Sequence, residues 1–127
     1  MEIPAIFVLL ALFQYVGFTL RVGAGRARYK VEAPRTSGDD SWDRLFRIQQ
    51  NTLEQLVVFI PGMVLFSHFL SPRWSWIPGL VFVAGRQLYA WEYARDPKSR
   101  GPGMGLTLLA NAALLIGAAV GLVLELV

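Results

Sequence analysis

The stretch Trp42–Gly62, WDRLFRIQQNTLEQLVVFIPG, decides the fold because it begins as polar sequence and becomes membrane sequence partway along. Its residues Arg47, Asn51 and Glu54 are spaced i, i+4 and i+7, so they share one face of an α-helix. Each charge near the centre of a bilayer costs about 2.5–3.5 kcal/mol. Such a row therefore indicates either a ligand-binding site or a polar network that fixes helix register.

The composition favours a single membrane domain. The chain has 127 residues, of which 54% are hydrophobic and 17% charged, and its length predicts one domain, residues 1–127. The net charge is +3, but the cations cluster beside apolar runs, which favours juxtamembrane positions over nucleic-acid binding. No cysteine is present, so sulfur chemistry must come from a ligand. With His68 as the only histidine, we expect no metal site.

Four apolar segments are long enough to cross a bilayer as helices. A signal peptide is the alternative for the first segment, although the chain opens with Met-Glu rather than with basic residues. A soluble bundle is disfavoured because the last segment has no polar face. The predicted spans are Ile3–Leu20, Leu45–Leu70, Trp74–Tyr93 and Gly101–Leu124. The sequence therefore predicts an all-α integral membrane four-helix bundle, with Arg21–Arg44 as a polar loop into which the first helix extends as far as Arg26 and Arg28.

The distribution of cations predicts the topology. The loops after the first and third spans are basic, whereas the loop after the second holds only Arg73. By the positive-inside rule both basic loops are cytoplasmic and both termini lie on the other side of the membrane, which is the inner membrane if the host is bacterial. A reporter that is active only in the cytoplasm is expected to be inactive when it is fused after Val127. A signal from this reporter would contradict the predicted topology.

The third span carries a second polar row. Arg86, Tyr89 and Tyr93 are spaced i, i+3 and i+7 and share one helix face. Spans two and three are antiparallel because a short turn joins them, so depth can be compared at about 1.5 Å per residue. The pairs predicted to lie level are Glu54 with Arg86, Asn51 with Tyr89, and Arg47 with Tyr93. We therefore expect one polar lining that contains a Glu54–Arg86 ion pair.

The chemistry of this lining suits a small zwitterion with more than one carboxylate. Arginine binds carboxylates through two parallel hydrogen bonds. Glu54 is suited to an ammonium group, and Arg100 follows just beyond the rows. The rows also open towards the same membrane face as both basic loops.

Three motifs together resemble the MAPEG family, the membrane-associated proteins of eicosanoid and glutathione metabolism. They are R-x-Q-x-N-x-x-E at 47–54, R-x-x-Y-x-x-x-Y at 86–93 and D-P-K-S-R-G-P-G at 96–103. Each motif alone is weak, but the combined spacing is specific and the likeness covers nearly the whole chain. The resemblance implies a homotrimer of four-helix protomers that bind glutathione between neighbouring subunits near the cytoplasmic face.

The resemblance also implies roles for individual residues. The glutathione-binding set that it implies is Arg26, Arg47, Gln49, Asn51, Glu54, Arg86, Tyr89 and Tyr93. The implied catalytic residue is Arg100, which would activate the thiol, and the Tyr93 hydroxyl competes with it for that role. Gln55 and Ala27 depart from the leukotriene-forming member, which has tyrosine and arginine there, so that enzyme's own substrate is disfavoured.

The sequence thus predicts a membrane glutathione transferase or peroxidase that takes glutathione as co-substrate and apolar electrophiles from the bilayer. A non-catalytic binding or scaffold member of the same family is the alternative. A small transporter is a further one, although it would need polar residues through to the far face, where the fourth span offers little beyond Asn111.

Overall fold

The computed structural model describes residues 1–96 and 101–127, and these residues form four helices and no strand. The helices are α1 (Glu2–Tyr29), α2 (Asp40–Phe69), α3 (Trp76–Arg95) and α4 (Gly101–Leu126), with a short 3₁₀ turn at Arg73–Ser75 before α3. The predicted all-α four-helix architecture is confirmed.

Three of the helices, α1, α2 and α4, are long and apolar enough to cross a membrane. The fourth, α3, has 20 residues and includes Arg86 and Glu92. Both side chains are buried inside the bundle, and α3 packs against each of the other three helices. Arg86 and Glu92 therefore face protein, where hydrogen bonds can satisfy them.

The predicted loop between the first two spans is shorter than expected, and the extension of α1 through Arg26 and Arg28 is confirmed. Helix α1 continues to Tyr29 and ends at Lys30, whose backbone is left-handed with φ 57° and ψ 45°. Helix α2 begins at Asp40, after the Asp39 carboxylate accepts a hydrogen bond from the Trp42 amide at 3.0 Å. This N-terminal cap satisfies an amide that has no partner within the helix.

The core consists of three apolar clusters along the bundle. The large central cluster contains the stacked rings of Phe59 and Phe82, whose centroids lie 3.9 Å apart. A second cluster joins α1, α2 and α3 around Tyr89 and Tyr93. The third surrounds Trp42, which is fully buried at the end of the bundle.

Helix α4 approaches α2 through small residues. A Cβ atom on Gly117 would meet the ring of Phe66 at 2.5 Å, and one on Gly121 would meet the carbonyl of Phe69. The Gly117/Gly121 spacing therefore permits close helix contact, as that pattern does in membrane helices.

The start of α4 lies against α3 at Gly103, where a Cβ atom would collide with the Tyr89 backbone. Backbone cannot move aside as a flexible side chain can, so we expect Gly103→Ala to destabilise the protein by at least about 1–3 kcal/mol. Gly105→Ala is the matched control, because nothing lies within 4 Å of a Cβ there. In detergent, the unfolding temperature of Gly103→Ala should be lowered and that of Gly105→Ala should not. Equal unfolding temperatures of the two variants would contradict the close contact.

Candidate functional site

Arg86 lies at the centre of the site and is fully buried. Its Nη2 donates to Asn51 Oδ1 at 2.7 Å and to Thr52 Oγ1 at 3.1 Å. Its Nη1 donates to Thr107 Oγ1 at 3.3 Å, and the guanidinium lies 4.4 Å from the Tyr89 ring centroid. Its Nε has no hydrogen-bond partner within residues 1–96 and 101–127. Arg86 is therefore a buried cation whose partners among the described residues are all neutral.

The two threonines accept from Arg86 without losing their own hydrogen bonds. Thr52 Oγ1 donates to the Ile48 carbonyl at 2.7 Å, and Thr107 Oγ1 donates to the Gly103 carbonyl at 3.0 Å. Each hydroxyl thus gives its proton to its own helix and offers a lone pair to Arg86. Neither residue was predicted from the sequence, although Thr107 is the only hydroxyl-bearing residue in α4.

The predicted Glu54–Arg86 ion pair is wrong. Glu54 is exposed, and Asn51 occupies the position opposite Arg86. The register between α2 and α3 therefore differs from the predicted one by nearly one helical turn. The prediction that Asn51 and Tyr89 lie at the same depth is wrong by the same amount. The predicted depths placed the start of the second span, at Leu45, level with the end of the third, at Tyr93, whereas α2 starts at Asp40 and α3 ends at Arg95.

The polar row of α3 has the predicted common face. The rings of Tyr89 and Tyr93 stack with centroids 5.5 Å apart and an interplanar angle of 14°. Both side chains are buried, and they pack with Phe18 and Ile48. The Tyr93 hydroxyl bonds to nothing in residues 1–96 or 101–127, so it is free to donate to a ligand.

The side chains of the polar row of α2 point in two different directions. Asn51 turns towards α3, whereas Arg47 and Glu54 are exposed. Neither charged side chain has a hydrogen-bond or ion-pair partner among the described residues. Leu53 and Val57, which flank Glu54, are also exposed, so the Glu54 charge lies on an otherwise apolar surface. The prediction that both rows line one space within a single chain is therefore wrong for Arg47 and Glu54.

Two further predicted residues, Gln49 and Arg26, take part in contacts between α1 and its surroundings. Gln49 Nε2 donates to Thr19 Oγ1 at 3.2 Å and to the Tyr15 hydroxyl at 3.5 Å. Arg26 donates to the Arg35 carbonyl at 2.8 Å and lies 4.7 Å from the ring centroid of Trp42. These contacts hold Arg26 at the corner between α1 and α2.

Arg100, the predicted catalytic residue, lies outside the described residues. The helix that follows it is attached to α3 by Glu92, a buried carboxylate whose Oε1 accepts from the Gly103 amide at 3.0 Å. A carboxylate at a helix N-terminus also interacts favourably with the helix dipole. Glu92 was not predicted from the sequence, because a lone acidic residue near a helix end has no distinctive spacing.

A further polar contact joins α4 to α2. Asn111 Nδ2 donates to the Gln55 side chain at 3.2 Å and lies 3.4 Å from the Gln55 carbonyl. Asn111 therefore forms a hydrogen bond between helices, as is common for amides in membrane bundles.

An apolar cavity of about 440 Å³ opens between α1 and α2 on the same side as Glu54. The residues that line it include Leu12, Tyr15, Leu53, Val57 and Pro61. Because the Tyr15 hydroxyl contacts Gln49, the cavity adjoins the polar residues of α2. The site thus combines charged, hydrogen-bonding and apolar surfaces.

A model of the MAPEG family matches residues 4–120. The chain belongs to the MAPEG family. Among relatives, an uncharacterised protein of Synechocystis sp. is 38% identical over 97% of this chain and 90% of its own length. Microsomal glutathione S-transferase 2 of Homo sapiens is 34% identical over 90% of this chain and 78% of its own. Leukotriene C4 synthase of Rattus norvegicus is 28% identical over 92% and 78%.

In this MAPEG chain the two sequence motifs of α2 and α3 meet at one point, the hydrogen bond between Asn51 and Arg86. The other motif residues diverge from that point. Gln49 faces α1, while Arg47 and Glu54 face out of the chain. The motif residues therefore do not all line one space within the chain.

Proposed function

We propose that this protein is a membrane-bound glutathione transferase, with glutathione peroxidase activity as a related reaction. It binds glutathione near the cytoplasmic face, stabilises the thiolate and conjugates it to apolar electrophiles. The observation that carries the proposal is the buried Arg86, whose described partners are all neutral and which meets Asn51 where the two motifs join. A buried cation is costly without an anion, and glutathione is an anion.

The outward charges of α2 support a site shared between copies. Glu54 stands among exposed apolar residues, where facing lipid would be costly, and Arg47 is exposed two turns earlier on the same helix. A neighbouring copy that covers this face would enclose them together with a bound zwitterion. We therefore propose a homotrimer in which Arg47, Gln49, Asn51 and Glu54 of one copy bind glutathione. The neighbouring copy contributes Arg26, Tyr89, Tyr93 and Arg100, while Arg86 acts from the first copy beside its hydrogen-bond partner Asn51.

The reaction follows from the charge on the sulfur. A free thiol has a pKa of about 8.5 and is mostly protonated at neutral pH, whereas the thiolate is the nucleophile. A guanidinium beside the sulfur favours the thiolate, and because arginine stays protonated it acts by charge and not as a base. With an aryl halide, the thiol proton passes to water, the sulfur forms a bond to carbon, and halide leaves with its electron pair.

The apolar cavity between α1 and α2 supplies a place for the electrophile. Its lining of Leu12, Leu53, Val57 and Pro61 suits a group that partitions into the bilayer. Tyr15 and Gln49 connect this cavity to the polar residues. An electrophile that enters from the membrane thus reaches glutathione without crossing water.

Glutathione binding tests the proposal directly. We expect Arg47→Ala to weaken binding about 10- to 100-fold, because a charge-assisted hydrogen bond contributes about 1.5–3 kcal/mol. Arg44→Ala is the matched control, since it removes the same charge from the same helix, but its guanidinium donates to the Ala94 carbonyl. Calorimetric titration of purified protein should separate the two variants; equal affinities would contradict the role of Arg47.

Turnover distinguishes an enzyme from a scaffold. Purified protein should conjugate glutathione to 1-chloro-2,4-dinitrobenzene, with a rate that saturates with glutathione. Binding without conjugation of any apolar electrophile would favour the non-catalytic scaffold. Absence of glutathione binding would overturn both.

A further inference from the structure

A polar groove lies at the end of α1, apart from the proposed glutathione site. It has a volume of about 310 Å³ and opens to the outside of the bundle. The residues that line it are Arg21, Ala24, Gly25, Arg28, Tyr29, Ser41, Leu45 and Ala94. None of these belongs to the set proposed for glutathione.

The groove is built to receive an anion. Arg21 and Arg28 are spaced i, i+7, so they share a helix face and stand about 10 Å apart along the axis. Ala24 and Gly25 lie between them and leave the floor of the groove open. Both arginines are exposed, and Arg28 lies beside the Tyr29 ring at 5.3 Å. Neither donates a hydrogen bond to a described residue.

Helix packing keeps the groove narrow and free of acidic groups. A Cβ atom on Gly25 would lie 3.0 Å from Trp42 Cδ1 and 3.3 Å from Leu45 Cδ1, so α1 and α2 approach closely there. Acidic residues occur in the first turn of α2, but none of the described residues that line the groove is acidic. The Asp43 carboxylate instead accepts from Ser37 at 3.3 Å and from the Gly38 amide at 3.2 Å.

The depth of the groove matches that of lipid phosphates. Leu20, which is 67% exposed, precedes Arg21, and Phe13 and Val16 extend the exposed apolar surface of α1 towards the membrane interior. Trp91 is exposed one turn before Ala94, and exposed tryptophans mark the headgroup level of a bilayer. The cations therefore begin where the lipid-facing surface ends.

We propose that this groove binds the phosphate of an anionic membrane lipid. Arg21 and Arg28 donate to the phosphate oxygens, and the Ser41 hydroxyl is available as a third donor. The acyl chains lie along the exposed apolar face of α1 that ends at Leu20. A soluble phosphate ester has the same headgroup chemistry but cannot use that apolar face.

Native mass spectrometry of the purified protein in detergent tests the groove, with phosphatidylglycerol and phosphatidylcholine of identical acyl chains as probes. Phosphatidylglycerol should be retained at one molecule per chain and should bind at least about tenfold more tightly than phosphatidylcholine. Arg21→Gln and Arg28→Gln should each lower the affinity for phosphatidylglycerol about fivefold. Arg73→Gln, the same charge change at the opposite end of the bundle, should leave it unchanged.

A second variant changes the shape of the groove without changing its charge. Ala24→Leu keeps both arginines but fills the floor, so it should also lose phosphatidylglycerol. Normal binding by this variant, or equal retention of the two lipids, would overturn the proposal. Displacement of phosphatidylglycerol by an equal concentration of glycerol 3-phosphate would overturn the lipid assignment in favour of a soluble phosphate ester.

Discussion

Replacing Arg86 with methionine should abolish most glutathione binding while leaving the ligand-free protein folded. Arg86 is fully buried and has only neutral partners in the described part of the chain. Without the cation, Thr52 and Thr107 keep their hydrogen bonds to Ile48 and Gly103. No charge is stranded, and exchanging a buried charge for an apolar group of similar volume is often neutral or stabilising.

The binding loss follows from the same geometry. The glutathione anion is proposed to offset the buried Arg86 cation. Removing the cation therefore removes a charge-assisted interaction of about 1.5–3 kcal/mol and lowers the glutathione affinity about 10- to 100-fold. Calorimetric titration and thermal unfolding of Arg86→Met measure the two effects separately. Phe82→Ala, one turn earlier and also fully buried, is the control for core damage and should lose about 3–5 kcal/mol of stability. An Arg86→Met protein that unfolds early but binds glutathione normally would show that Arg86 only fixes helix register.

The arrangement around Arg86 shows what the sequence could and could not predict. Helical spacing identified the row of Arg86, Tyr89 and Tyr93, because 3.6-residue periodicity is a property of one helix. The partner of Arg86 depended on the register between two helices, and a shift of nearly one turn replaced Glu54 with Asn51. Depth counting along separate spans has an uncertainty of this size.

The sequence also could not predict which neighbour each side chain of a helix faces. A helical wheel places Arg47, Asn51 and Glu54 on one face, but it does not show how neighbouring helices divide that face. In the structure α3 covers Asn51 and leaves the two charged residues exposed. The groove at Arg21 and Arg28 was likewise unpredictable, since residues from α1, α2 and α3 are needed to form it.

Arg100→Ala is expected to slow conjugation about 10- to 30-fold near neutral pH, while glutathione affinity falls less. Arg100 occupies the position in the D-P-K-S-R-G-P-G motif that the family resemblance assigns to thiol activation. An adjacent cation lowers the pKa of a thiol by about 1–3, so bound glutathione should show thiolate absorbance near neutral pH. The variant should lose that absorbance. Its rate should rise with pH to a midpoint that lies higher by the same amount, so that the two enzymes converge in alkaline solution.

Two further variants make the role of Arg100 specific. Arg47→Ala should show the opposite pattern, with weaker binding and a largely intact thiolate signal, because Arg47 is proposed to bind a carboxylate remote from the sulfur. Arg100→Lys should restore part of the rate, since lysine keeps the charge but loses the planar fork. Unchanged thiolate signal and turnover in Arg100→Ala would defeat the assignment. The Tyr93 hydroxyl, which has no described partner, would then be the group beside the sulfur, and Tyr93→Phe should show the losses expected of Arg100→Ala.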